Sequence, residues 1–153
     1  MRQFFAVIRQ RAADLVTSVT ETTKQHIRDA ILEGRAAGEG VQQIAARIEA
    51  NTFGEISKAR AVTIARTETV GALNAGAYEA AQQSRVMRSK QWLTQGDDRV
   101  RDSHAAIDGE RVDIGAAFSN GLRFPHDPMG PAAEVINCRC SLAYSDLDPG
   151  AAQ

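Results

Sequence analysis

The chain has 153 residues, with 18 Lys and Arg against 19 Asp and Glu, for a net charge of -1. That length suits one core that buries most of its apolar side chains, and the near-cancelled charge excludes a global basic field drawing the protein onto nucleic acid or an anionic membrane. No apolar run approaches the roughly 20 residues that span a bilayer, and MRQFFAVIRQ lacks the apolar length and small-residue cleavage site of a leader, so a soluble protein that is not exported is expected.

In chain order, Phe5, Ile8, Ala12, Leu15 and Val19 recur every three or four residues and predict a helix with a narrow apolar seam. Such a seam needs a partner, which makes this helix the candidate for self-association or for contact with another protein. A second helix is predicted from about residue 22 to 35, with Ile27, Ala30 and Ile31 on one face and Gly34, Gly38 and Gly40 marking its end. Val41, Ile44, Ala45 and Ile48 predict a third, closed by Asn51 and Gly54. From about 55 to 85 there is no proline, and Val62, Ala65, Thr69, Leu73, Ala77 and Ala80 keep helical spacing, so one long helix is expected with that face inward. Within it lies ARTETV, where Glu68 is either a solvated surface residue or a half-buried carboxylate in need of a cation.

The second half changes character. Between residues 90 and 144 lie the only Trp, both cysteines, three of the four prolines and two of the three histidines. Lys90 to Thr94 predicts a strand with Trp92 as a core anchor. Asp97 or Asp98 is expected to cap a short helix over about 99 to 106, which makes Arg101 and His104 neighbours. Asp108-Gly109 and Asn120-Gly121 signal tight turns. Pro125, Pro128 and Pro131 argue against regular structure through HDPMGPAA. Val135 to Tyr144 reads as a strand that turns Cys138 and Cys140 to one face and Asn137 and Arg139 to the other.

Two thiols on one face admit three uses. They could give half of a tetrahedral zinc site completed by His104 and His126. They could be buried thiols flanking a structural arginine, since free Cys is commonly buried without any ligand role. They could also supply a nucleophile with His104 as its base, in a thiol hydrolase or, with metal, a nuclease. The C-x-C spacing differs from the usual zinc knuckle, and no glycine turn suited to an oxyanion adjoins either cysteine. Asp97, Asp98, Asp102 and Asp108 form an acidic group, interleaved with Arg99 and Arg101 that favour local ion pairing over a divalent ion. A local basic patch for DNA would draw on Arg85, Arg88, Lys90, Arg99 and Arg101. The phosphate-loop, dinucleotide-binding and zinc-protease helix motifs are absent.

The ordered set ARTET, a helical spacer, a lone Trp, Asp98, Arg101 and His104, Asp108-Gly109, a Phe and Pro region, and INCRCSL resembles the phage Mu F-like head morphogenesis family of minor capsid proteins. The resemblance covers roughly residues 56 to 144. It carries over Arg66, Thr67, Glu68, Trp92, Asp98, Arg101, His104, Asp108, Gly109, Pro125, Asn137, Cys138, Arg139 and Cys140. It implies a few-copy component of a phage or prophage head, present in the bacterial host cytoplasm during assembly and then in the virion. It also implies association with the portal protein and other head proteins, action in head assembly or in DNA packaging and ejection, and no settled enzymatic activity. The expected fold is α+β, with a helical N-terminal half containing a long central helix and a small irregular β-sheet region at the C-terminal end. The division expected is 1-54 as a helical N-terminal region and 55-148 as the Mu F-like domain. No cofactor is expected beyond the zinc alternative. On physical grounds Glu68 should meet Arg101 or Arg139, Trp92 should seal the core, and His104 should approach the cysteine face.

Overall fold

The computed structural model describes residues 16, 18–19 and 20–150. The seam of Phe5, Ile8, Ala12 and Leu15 lies outside the described residues, whereas Val19 packs partly buried against the first core and Val16 is buried in it. The fold is α+β, as expected. Contacts separate into two compact units, one up to Ala72 and one from Leu73.

In the first unit, helix α1 (Glu21–Ala36) starts at Thr20, whose hydroxyl accepts from Thr23 N at 3.2 Å, with Glu21 suitably placed against the positive helix end. Helix α2 (Val41–Asn51) begins at Gly40, whose N–H donates to Gln43 Oε1 at 2.8 Å. Ile27, Ala30 and Ile31 from α1 meet Ile44, Ala45 and Ile48 from α2, and this core takes in Ile56, Ala61, Ile64 and Ala65. The two helices approach closely because Gly34 has no side chain. A Cβ there would stand 2.7 Å from Ile44 Cγ1 and 2.7 Å from Glu39 Oε2. Arg47 of α2 ties the connection down through Glu39 at 2.5 Å and Glu33 at 3.1 Å.

Helix α3 (Lys58–Ser84) is the single long helix expected. Its inward face was misread in the second half. Leu73 is 55% exposed and Ala77 and Ala80 are exposed, whereas Asn74, Ala75, Tyr78 and Ala81 are buried. Apolar spacing favoured Leu73. The packing instead uses Tyr78, whose ring lies 4.9 Å from that of Phe124, and Asn74, whose amide has a buried partner described below.

The second unit is built on a three-stranded antiparallel sheet in the order β2-β1-β3. Strand β1 (Ser89–Leu93) is central, between β2 (Arg111–Asp113) and β3 (Ser141–Ser145), with Lys90 opposite both Val112 and Tyr144 and Trp92 opposite Leu142. Trp92, Ile107, Phe118, Leu122, Cys138 and Cys140 form its core, flanked by Val112 and Leu142. The Trp92 ring meets those of Phe118 and His104 edge-on, each at 5.1 Å. The two-residue strand period also puts Lys90 on the core side beside Trp92.

Three sequence expectations fail in this unit. The short helix is α4 (Asp102–Ala105), with Arg101 rather than an aspartate at its N-cap, while Asp97 accepts from Arg99 N at 3.1 Å in the preceding turn. Four residues after Pro131 do become helical, α5 (Ala132–Val135), because proline suits the start of a helix as well as it breaks an interior. The late strand begins only at Ser141, so Cys138 and Cys140 precede it in irregular backbone. Asn137 adopts φ +59, which interrupts the extended run. Both glycine turns are present, with Gly109 at φ +80 and Gly121 at φ +83.

Candidate functional site

The segment Ile136 to Cys140 precedes the strand, and side chains take four of its five main-chain oxygens. Arg101 donates to Ile136 O, His126 Nε2 to Cys138 O at 2.9 Å, Gln95 Nε2 to Arg139 O at 3.1 Å, and Asn74 Nδ2 to Cys140 O at 3.0 Å. The backbone is thereby fixed without a ladder, which meets the need to pair buried carbonyls. Both thiols then point at one imidazole. Cys140 Sγ is 3.5 Å and Cys138 Sγ 3.7 Å from His104 Nδ1, and Cys140 N donates to Cys138 Sγ at 3.4 Å.

The other side of the imidazole faces a carboxylate. His104 Nε2 lies 2.9 Å from Glu134 Oε2, a close polar contact whose angle falls short of a hydrogen bond, and Ser103 Oγ holds the same oxygen at 2.9 Å. His104 and Cys138 are each 1% exposed and Cys140 4%. The two thiols ionise as a pair. The Cys140 S–H, together with His104 and His126, holds Cys138 well below the usual thiol range despite burial; the Cys138 sulfur and burial push Cys140 up. The Trp92 indole N–H, which is buried, acts on Cys140 in the opposite sense and favours its thiolate.

Of the four metal candidates, the structure brings His104, Cys138 and Cys140 together, with one ligand atom from each inside 4.8 Å of the others. His126 is buried beside them, but its Nε2 serves the Cys138 carbonyl. Arg139 takes Asp97 as its carboxylate, at 2.7 and 2.5 Å, and Asp97 is held down to about 2 by that guanidinium. Glu68 sits half-buried on α3, beside half-buried Arg66 and buried Thr67, whose hydroxyl donates to Thr63 O at 2.8 Å. Asp108 accepts from Thr94 N at 2.8 Å, Gly109 N donates to Trp92 O at 2.9 Å, Pro125 is buried, and Asp98 and Asn137 are exposed.

The basic patch does not form as expected. Lys90 is 1% exposed, with Nζ 4.4 Å from the Tyr78 ring centre and 5.3 Å from that of Phe118, and burial lowers its pKa to about 8. Arg88 pairs with Asp148 at 3.4 Å and Arg101 is turned to Ile136.

Sequence reasoning missed Glu134 and Asn74, and also Asp127. Asp127 is buried and accepts from Arg123 Nε at 2.8 Å and Nη2 at 2.9 Å and from the main-chain N–H groups of Arg123 and Met129 at 3.0 Å each. An amide in a run of small residues on α3 was the signal available for Asn74. Glu134 and Asp127 carry none that spacing reveals.

The family described as Phage Mu protein F like protein matches residues 25–143. The chain belongs to that family. Among its relatives, the Mu F-like chain is 33% identical over 124 residues to the minor head protein GP7 of Bacillus phage SPP1, covering 78% of this chain and 40% of GP7. It is 32% identical over 122 residues to a protein of Enterococcus faecalis named NAD(+)--arginine ADP-ribosyltransferase EFV, covering 76% of this chain and 25% of that one. It is 27% identical over 128 residues to YqbB of Bacillus subtilis, covering 79% and 41% respectively. The Mu F-like chain therefore spans less than half the length of each of these relatives. No solved structure matches it. No helix among the described residues is long and apolar enough to cross a membrane.

Proposed function

We propose that this chain is a minor head protein of a phage or prophage, acting without catalysis at the portal vertex in head assembly or in DNA packaging and ejection. The observation that carries the reading is the match to a phage minor head protein across 78% of the chain, beside a family match over residues 25–143 that takes in the helical region, Trp92, His104, Cys138 and Cys140. Its partners in this reading are the portal protein and other head proteins. The N-terminal seam, of which Phe5, Ile8, Ala12 and Leu15 lie outside the described residues, is the surface assigned to portal contact or self-association. Assembly takes place in the bacterial host cytoplasm, and the protein ends in the virion head.

The relative named as an ADP-ribosyltransferase supports a shared module rather than a shared reaction. The match spans a quarter of that longer chain, so its name alone carries no reaction over to this one. Burial of His104, Cys138 and Cys140 also speaks against a thiol hydrolase, since a nucleophile must reach its substrate.

Heads purified after induction should contain the protein in far fewer copies than the major capsid protein. A nonsense mutation should leave heads that form but fail to package or deliver DNA. Full infectivity of particles lacking the protein would overturn the reading. So would its absence from heads at every stage of assembly.

A further inference from the structure

The geometry points to a zinc-binding site made by His104 Nδ1, Cys138 Sγ and Cys140 Sγ, with the fourth coordination position supplied by solvent. This goes beyond a role in head assembly and holds whether or not that role is correct.

Spacing is the first ground. With Zn–S about 2.3 Å and Zn–N about 2.05 Å, a tetrahedral angle sets nitrogen and sulfur about 3.6 Å apart. The two sulfurs stand 3.5 and 3.7 Å from the one nitrogen. Those values lie in the range of hydrogen bonds to sulfur and equally match the nitrogen–sulfur edges of a zinc tetrahedron, so the thiols and the imidazole already stand where a zinc ion would hold them.

The surroundings are the second ground. A ligating histidine characteristically offers its other ring nitrogen to a carboxylate, which fixes the tautomer and aims the lone pair. Here Glu134 lies 2.9 Å from His104 Nε2 and is itself held by Ser103. An N–H donor already reaches Cys138 Sγ from Cys140 N at 3.4 Å. Donors of this kind stabilise thiolates.

Ligand chemistry is the third ground. Two thiolates and an imidazole select zinc over magnesium or calcium, which take oxygen. On binding, the thiol protons leave to solvent, His104 gives the lone pair of Nδ1, and two thiolate charges neutralise the dication. No electron is transferred. His104, Cys138 and Cys140 line one small cleft with Gln95, Arg99 and Arg101, through which a water could reach the site.

The test uses the full chain, purified without chelator, with metal measured by mass spectrometry and thiols by titration. About one equivalent of zinc per chain is expected, as is a Tm lowered by chelator and restored by zinc alone. Cobalt substitution should give thiolate-to-cobalt charge-transfer bands of two-thiolate intensity. His104→Gln, Cys138→Ser and Cys140→Ser should each lose stoichiometric zinc, His126→Gln should keep it, and Glu134→Gln should keep the stoichiometry while binding roughly 10–100-fold more weakly. Should the ligand variants fail to fold, the wild-type chelator and cobalt measurements decide. A folded wild-type chain with less than about a tenth of an equivalent of zinc and a Tm indifferent to zinc and chelator overturns the proposal. Full zinc retention in folded Cys140→Ser does so as well.

Discussion

Asn74 of α3 donates its amide to the main-chain oxygen of Cys140 at 3.0 Å, across 66 residues of sequence, and both groups are buried. A polar residue on the small-residue face of a helix thus reaches directly into the cysteine segment. Replacing Asn74 by Ala leaves a buried carbonyl unpaired and should cost about 1–3 kcal/mol in urea unfolding. Asn74→Asp should cost more, since it sets a carboxylate against that carbonyl. Equal midpoints for wild type and both variants would show that the bond contributes nothing.

Lys90 makes stability depend on pH in the alkaline range. Burial first, and Arg123 second, lower its pKa from 10.5 to about 8, with Asp127 opposing. Below pH 8 the lysine is charged in both states and its burial penalty is constant. Between about 8 and 10.5 the unfolded chain holds a proton that the folded chain has released, so stability rises with pH. Tyr78, Tyr144 and Cys140 are pushed up and act in the opposite sense as they titrate. The difference between wild type and Lys90→Met isolates the lysine. The variant should be the more stable at pH 7, and its advantage should shrink towards pH 10. An advantage that is flat with pH would mean that the ammonium is solvated.

Gly34→Ala sets two effects against each other. Alanine gains about 1 kcal/mol of helix propensity, while its methyl meets Ile44 and Glu39 at 2.7 Å. Glu39 has a mobile carboxylate end, but Ile44 is wholly buried, and overpacking of that kind costs about 1–3 kcal/mol. A net loss is expected in urea midpoints. A gain would mean that Ile44 shifts freely.

Asp127 should be a sensitive anionic position in the second unit. Burial alone would raise its pKa, but the Arg123 guanidinium and the N–H groups of Met129 and Arg123 outweigh it and bring the value down. Its contribution is therefore complete above the ordinary value of 3.8 and is lost as pH falls through the lower folded value. Asp127→Ala should cost about 3 kcal/mol at pH 7, at the low end for a broken buried pair because Arg123 is itself partly exposed. Acid unfolding of the variant should show a shallower pH dependence than that of wild type.

The α+β class, the turns at Gly109 and Gly121, the anchoring role of Trp92 and the convergence of His104 with the cysteines were legible in the sequence, because periodicity, glycine chemistry and burial preference act locally. The inward face of α3 beyond Leu73 was not. There apolar spacing points one way, while Asn74 and Tyr78, whose polar ends find use only in the tertiary structure, point the other. The strand drawn through Val135 to Tyr144 failed for a related reason. Alternation describes β3 well, but Asn137 in a left-handed conformation and carbonyls claimed by Arg101, His126, Gln95 and Asn74 replace the ladder upstream of it. Lys90 was assigned to a charged surface from its residue type alone, although the period that buried Trp92 buries it too.

The tethers on the cysteine segment also set an order of events in folding. They come from 12 to 66 residues away in sequence, and those from Arg101, Gln95 and Asn74 can close only when distant parts of the chain have arrived. Both sulfurs are therefore open to solvent, oxidants and stray metal in the unfolded chain, and Cys138 and Cys140 reach 1% and 4% exposure only in the folded one. A newly made chain is chemically vulnerable at Cys138 and Cys140 in a way that the finished one is not.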